Sequence, residues 1–167
     1  RASYHGEVWG LQVEYNGDTP PKSVSWPIRG PKDWQTLEVM SPQEGVLGEQ
    51  LHALKLIANG LNGSVPFLMT VFSPLSIASR LVPSEDLFLI HLREYPEEVK
   101  RALNVITQTF AAFSRACLEL GAAGIFMATT SWATSQQLSW EEYLSYAKQY
   151  DLDILDAVSS AEFNLLH

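Results

Sequence analysis

Three stretches of nearly unbroken apolar residues constrain what this chain can fold into: 65–72 (VPFLMTVF), 122–128 (AAGIFMA) and the shorter 163–167 (FNLLH). A strand with one face in water alternates apolar and polar residues. A strand covered on both faces reads as a continuous apolar run, the habit of parallel sheets. Parallel neighbours need a crossover between them, usually a helix, and helix signals fill both gaps. Ser73-Pro74 opens a short helix, and another fits 84–94. Pro96 at a first helical position, with Glu97 and Glu98 behind it, starts the clearest one. Val99, Leu103, Ile106, Phe110, Phe113, Cys117 and Leu120 then recur at helical spacing up to Gly121, which predicts a helix packed on a sheet. Ser139-Trp140-Glu141-Glu142 is a further helix start. Its helix is expected to reach about 158, with a break near Tyr150-Asp151. Ahead of all this, Ser41-Pro42-Gln43-Glu44 reads as a cap and first turn, and apolar spacing from Val46 to Leu61 continues the helix.

The alternation predicts an α/β fold with three adjacent parallel strands. A complete eight-stranded β/α (TIM-type) barrel is typically about 250 residues, so the expectation is a portion of one. Residues 1–40 read differently. Runs at 7–15 and 22–28, with Asn16-Gly17-Asp18 between them, predict an N-terminal β-ribbon. Pro20, Pro21, Pro27 and Pro31 argue against helix there. Trp9, Trp26 and Trp34 are expected to pack the ribbon onto the rest. The chain is thus read as one unit, 1–167: ribbon and extended segment over 1–40, alternating helix and strand over 41–167. The apolar run 163–167 is followed by no turn or polar tail, and Arg1 reads as a cleavage start, so an internal piece of a longer parent is expected. Its open edges would be covered by self-association or by the remainder of that parent.

Charge and cysteine usage narrow the partners. Eleven basic against nineteen acidic residues give a net charge of −8, which argues against nucleic acid. The apolar runs fall short of the ~18 residues of a membrane span. The single cysteine, Cys117, lies on an apolar helix stripe and should be core. Together these features point to a cytoplasmic protein.

In α/β folds, sites lie beyond the carboxyl ends of the strands. Three places qualify: 73–80, 129–137 and His167. Thr129, Thr130, Ser131 and Trp132 read either as a hydroxyl-rich floor for an anionic or carbonyl group, or as an ordinary capped loop. Arg80 is either a carboxylate clamp or a surface arginine. His167 is a metal ligand, an acid–base group or simply structural. His5, His52 and His91 show no ligand spacing, and no phosphate-binding glycine loop, GxSxG or CxxC occurs.

Four stretches together resemble the uroporphyrinogen decarboxylase family: VPFLMTVFSPLSIASRLV, EYPEEVKRALNVITQTFAAFSRACLELGAAGIF, ATTSWATSQQLSWEEYLSYAKQYDLDILDAV and FNLLH. EVWGLQVEY resembles the segment that precedes them. The resemblance implies a β/α barrel of which this chain is an internal portion, with the family's catalytic aspartate upstream of Arg1. It also implies two chemistries. Decarboxylases remove acetate carboxyls from a tetrapyrrole, uroporphyrinogen, without a cofactor. Corrinoid-dependent methyltransferases bind zinc and activate a thiol. Decarboxylases carry acid-Ser-Trp or acid-Ser-His where this chain has Thr130-Ser131-Trp132, and a substrate-binding tyrosine where it has Arg80. In many non-decarboxylase members the third strand runs into His-x-Cys-Gly, and FNLLH ends on the matching histidine. The leading expectation is a decarboxylase-like lyase of porphyrin biosynthesis. Arg80, Thr130, Ser131 and Trp132 would then be substrate-binding and no cofactor would be needed. The alternative is a zinc methyltransferase acting on a methyl donor, with His167 as first ligand. A catalytically silent piece is the third, and the isolated chain is expected to be inactive in any case.

Overall fold

The computed structural model describes residues 3–167; the expectation attached to Arg1 lies outside them. The elements run α1 (Tyr4–Glu7), β1 (Gln12–Glu14), β2 (Lys22–Ser25), a 3-10 turn (Pro31–Thr36), α2 (Gly45–Leu61), β3 (Leu68–Phe72), α3 (Pro74–Arg80), α4 (Glu85–Glu94), α5 (Pro96–Glu119) and β4 (Gly124–Ala128). A second 3-10 turn (Thr130–Ala133), α6 (Trp140–Tyr143), a π-helical turn (Leu144–Lys148), α7 (Gln149–Ala157) and β5 (Leu165–Leu166) complete them.

The three apolar runs form one parallel sheet in the order β3-β4-β5. Leu68 pairs with Gly124 through to Phe72 with Ala128, and Phe126 and Met127 pair with Leu165 and Leu166. The sheet is an open arc among the described residues. The stripe on α5 is buried as its spacing predicts: Val99, Leu103, Ile106, Phe110, Phe113 and Cys117 are all shut from solvent. Serine caps fix where the helices start. Ser73 accepts from the Ser76 N–H, Ser84 from Leu87 and Ser139 from Glu142. Glu142 returns a bond to the Ser139 N–H and is clamped by Arg93 at 2.8 Å, which together hold its carboxyl below the usual range.

Several elements depart from expectation. The ribbon is shorter than 7–15 and 22–28, because residues 4–7 turn into a helix that packs inside. The proline-rich stretch is not free of helix. Pro31 takes the first position of a 3-10 turn, where no N–H is required. The Asp33 carboxylate accepts the N–H groups of Arg29 and Gly30 at 2.8 and 2.9 Å, which holds its pKa down. The α2 helix begins at Gly45 and not at Pro42. Gly45 has φ +51°, so the helical path cannot run unbroken from Pro42. The break in the last helix is the π turn over 144–148, ahead of Tyr150. The third strand, expected to be buried, is 42% exposed at Leu165 and 62% at Leu166, because it is an edge strand among the described residues.

The other edge of the sheet is closed by side chains. The Phe67 C=O and Ser73 N–H bond to Ala123 and Ala128, so the odd residues of β3 point at β4 and Thr70 and Phe72 point away. Tyr4 Oη donates to the Thr70 C=O at 2.7 Å, and His5 Nε2 accepts the Phe72 N–H at 3.1 Å. One residue of a parallel neighbour would make the same two bonds. Tyr4 and His5 thus stand in for a strand residue, with His5 packed between the rings of Phe72 and Phe110. His5→Phe keeps the ring and strands the buried Phe72 N–H. It is expected to cost about 1–3 kcal/mol, read as a lower urea midpoint. An unchanged midpoint would remove this account of the edge.

Candidate functional site at the strand ends

The carboxyl ends of β3, β4 and β5 are joined by one hydrogen-bonded track. After β3, Ser73 caps α3, and its hydroxyl donates to Ser76 Oγ at 2.8 Å. Ser76 is 1% exposed. Its Oγ donates to the Thr129 C=O at 2.6 Å and lies 2.8 Å from Thr130 Oγ1. After β4, the Thr129 N–H and Oγ1 both donate to the His167 C=O, at 2.8 and 3.0 Å. The His167 N–H returns to the Met127 C=O, and its ring stacks on Phe126 at 5.6 Å between centroids. Thr130 has φ 55°. A β-branched side chain in the left-handed region costs on the order of 1–3 kcal/mol and persists only where its surroundings over-determine it. The bond to Ser76 is such a restraint.

Of the residues singled out by sequence, Thr130 and His167 meet through Thr129 in this track. Ser131 lies beside it, exposed, with no side-chain hydrogen bond among the described residues. Trp132 turns inward, buried and edge-on to Phe88 at 4.9 Å. With Trp140 and Tyr143 it lines a groove of about 400 Å³ on the neighbouring surface. Arg80 ends α3 on the ribbon side. Its guanidinium lies 4.1 Å over the Phe72 ring and lines a cavity of about 150 Å³ with Val13, Pro21 and Ser23. Desolvation lowers its pKa although part of the side chain meets solvent, and it has no carboxylate partner among the described residues. Among the described residues, no hydrogen bond joins Arg80 to the hydroxyl track. Reading by sequence missed Ser73 and Ser76, which lie within the first strand-end segment. The Ser-Pro-Leu-Ser spacing, cap and third helical residue, was the available signal. Cys117 is a core thiol pushed up to about 12 by burial.

The model of the family described as uroporphyrinogen decarboxylase (URO-D) matches residues 3–167. A methylcobamide:CoM methyltransferase, MtbA, of Methanosarcina acetivorans is 24% identical over 142 residues, 85% of this chain and 41% of that protein. A solved methyltransferase from Methanosarcina mazei superposes with a TM-score of 0.83 at 22% identity, over 99% of this chain and 48% of that one. The chain therefore spans less than half the length of each of these relatives, and the second likeness speaks for the fold. With a family match over nearly every residue, the chain belongs to the uroporphyrinogen decarboxylase family.

Proposed function

We propose that this chain is part of a methyltransferase that moves a methyl group between a corrinoid and a small acceptor, as the name of its methanogen relative describes for that protein. The observation that carries the reading is the neutral track at the strand ends. Thr130 stands where a decarboxylase carries an acid, and the main chain of His167 is pinned beside it by Thr129. Ser76 and Thr129 fix that backbone, and Phe126 orients the imidazole. Arg80 keeps a second reading in place: an unpaired, partly desolvated guanidinium suits a carboxylated substrate such as uroporphyrinogen. Both readings place the chain as an arc of a β/α barrel.

Zinc, which the methyltransferase resemblance implies, takes three or four protein ligands and supplies a Lewis acid that ionises a bound thiol. The described residues do not fit it on their own. No group of three or more His, Cys, Asp or Glu is placed to hold a metal, which leaves His167 as a lone donor.

The test uses the protein encoded by the complete gene. Mixed with methylcobalamin and coenzyme M, it is expected to demethylate the corrinoid, and His167→Ala is expected to slow this at least a hundredfold. Decarboxylation of uroporphyrinogen, with no methyl transfer, would replace this reading with the second. Calorimetric titration of the 167-residue chain with zinc is expected to give no tight site.

A further inference from the structure

The protons of the strand-end track can be counted one by one. A serine or threonine hydroxyl has one proton to give and two lone pairs with which to accept. The proton of Ser76 goes to the Thr129 C=O, an oxygen that can only accept. Ser76 Oγ therefore has none left for Thr130, and the 2.8 Å contact between the two hydroxyls is Thr130 donating to Ser76. Ser73 likewise spends its proton on Ser76, and Thr129 spends its own on the His167 C=O. All four hydroxyl protons are committed inside the protein. Thr130 is exposed and Thr129 partly so, and toward the space above the strands their oxygens present lone pairs only.

We infer that Thr130, backed by Thr129, accepts a hydrogen bond from the ligand, so that this part of the site selects an uncharged donor group, an amide or a hydroxyl, over a carboxylate. The floor for an anionic or carbonyl group expected from the hydroxyl-rich sequence becomes an acceptor surface at these two positions, because the Thr129 and His167 carbonyls fix which way the protons point. Ser131, whose hydroxyl is uncommitted, does not share the restriction. The inference deepens the methyltransferase reading and in part rests on it: a cobamide is fringed with amides, whereas uroporphyrinogen is fringed with carboxylates.

The test separates the site from the reading. Acetamide and acetate, titrated in turn into the ¹⁵N-labelled chain, report on the site alone. Acetamide is expected to shift the amide resonances of Thr129, Thr130 and Ser131 at least threefold more than acetate at equal concentration. Thr130→Val should abolish that preference and Thr130→Ser should restore it. Equal or larger shifts with acetate, no shift with either, or a preference that survives Thr130→Val would each overturn the inference. Dicyanocobinamide and its heptacarboxylate counterpart, dicyanocobyrinic acid, extend the test to the whole ligand. The amide form is expected to bind at least tenfold tighter, and tighter binding of the heptacarboxylate would overturn the inference. If neither corrin binds while acetamide behaves as stated, the methyltransferase reading falls and the donor-selective site stands.

Discussion

Replacing Asp151 with asparagine is expected to stabilise the protein at neutral and alkaline pH and to leave it almost unchanged below about pH 4. Asp151 lies on α7, only 7% exposed, and its Oδ1 has no hydrogen-bond partner among the described residues. Burial pushes its pKa from 3.8 to about 7, and no nearby charge contributes. The folded state therefore holds the proton more tightly than the unfolded chain. Below the unfolded pKa both states are protonated and the group is neutral to stability. As pH rises from about 4 to 7 the unfolded chain ionises first, so a penalty builds, and it is complete once the folded group ionises as well. A shift of about three units sets a ceiling of about 4 kcal/mol. Among the described residues, Tyr143 feels this carboxylate: its own pKa is raised by burial and then by Asp151. Urea unfolding of both proteins at pH 5 and pH 8 measures the effect as a gap that widens with pH. A gap that stays flat, or an asparagine variant less stable at pH 8, would mean that the carboxylate has a partner in solution.

The second large effect is expected at Gly124, the first residue of β4. A Cβ there would overlap the Phe163 carbonyl and sit 2.9 Å from Asn164 Oδ1. Backbone cannot yield as a flexible side chain can. Asn164 also bridges the Ile125 N–H to the Val158 C=O, at 3.0 and 3.2 Å, and so ties the last turn to the sheet. Gly124→Val is expected to lift residues 163–167 from β4 at a cost of about 3 kcal/mol. The Thr129–His167 bonds would go with them. Hydrogen exchange should show lost protection at the amides of Thr129 and His167, while α5 remains protected. Methyl transfer in the full-length protein should fall with it. Native protection at both amides in the variant would show that the close approach is not needed.

Neither Asp151 nor Gly124 announces itself in the sequence. Asp151 sits among Lys148, Asp153 and Asp156, and a carboxylate there reads as surface. Its burial comes with the docking of α7 on α5, which the local sequence does not show. Gly124 reads as one more small residue before a strand, and its necessity comes from Phe163, nearly forty residues downstream. The same separation explains Tyr4 and His5. They read as the approach to a ribbon strand, yet they complete the edge of β3 more than sixty residues away.

What the sequence by itself determined is local. The three apolar runs, the serine caps at Ser73, Ser84 and Ser139, the proline at 96 and the α5 stripe each follow from backbone geometry within a few residues. They were enough to specify a parallel α/β arc and to mark the strand ends as the place to look. What the tertiary structure decided is which groups meet there and in what state. Trp132 turned inward, Arg80 went to the ribbon side, and Ser76, unremarked in the sequence, became the centre of the track. A hydroxyl carries no label for donor or acceptor. That role is set by the carbonyl it faces once the chain has folded, and here the Thr129 carbonyl sets the role of Thr130.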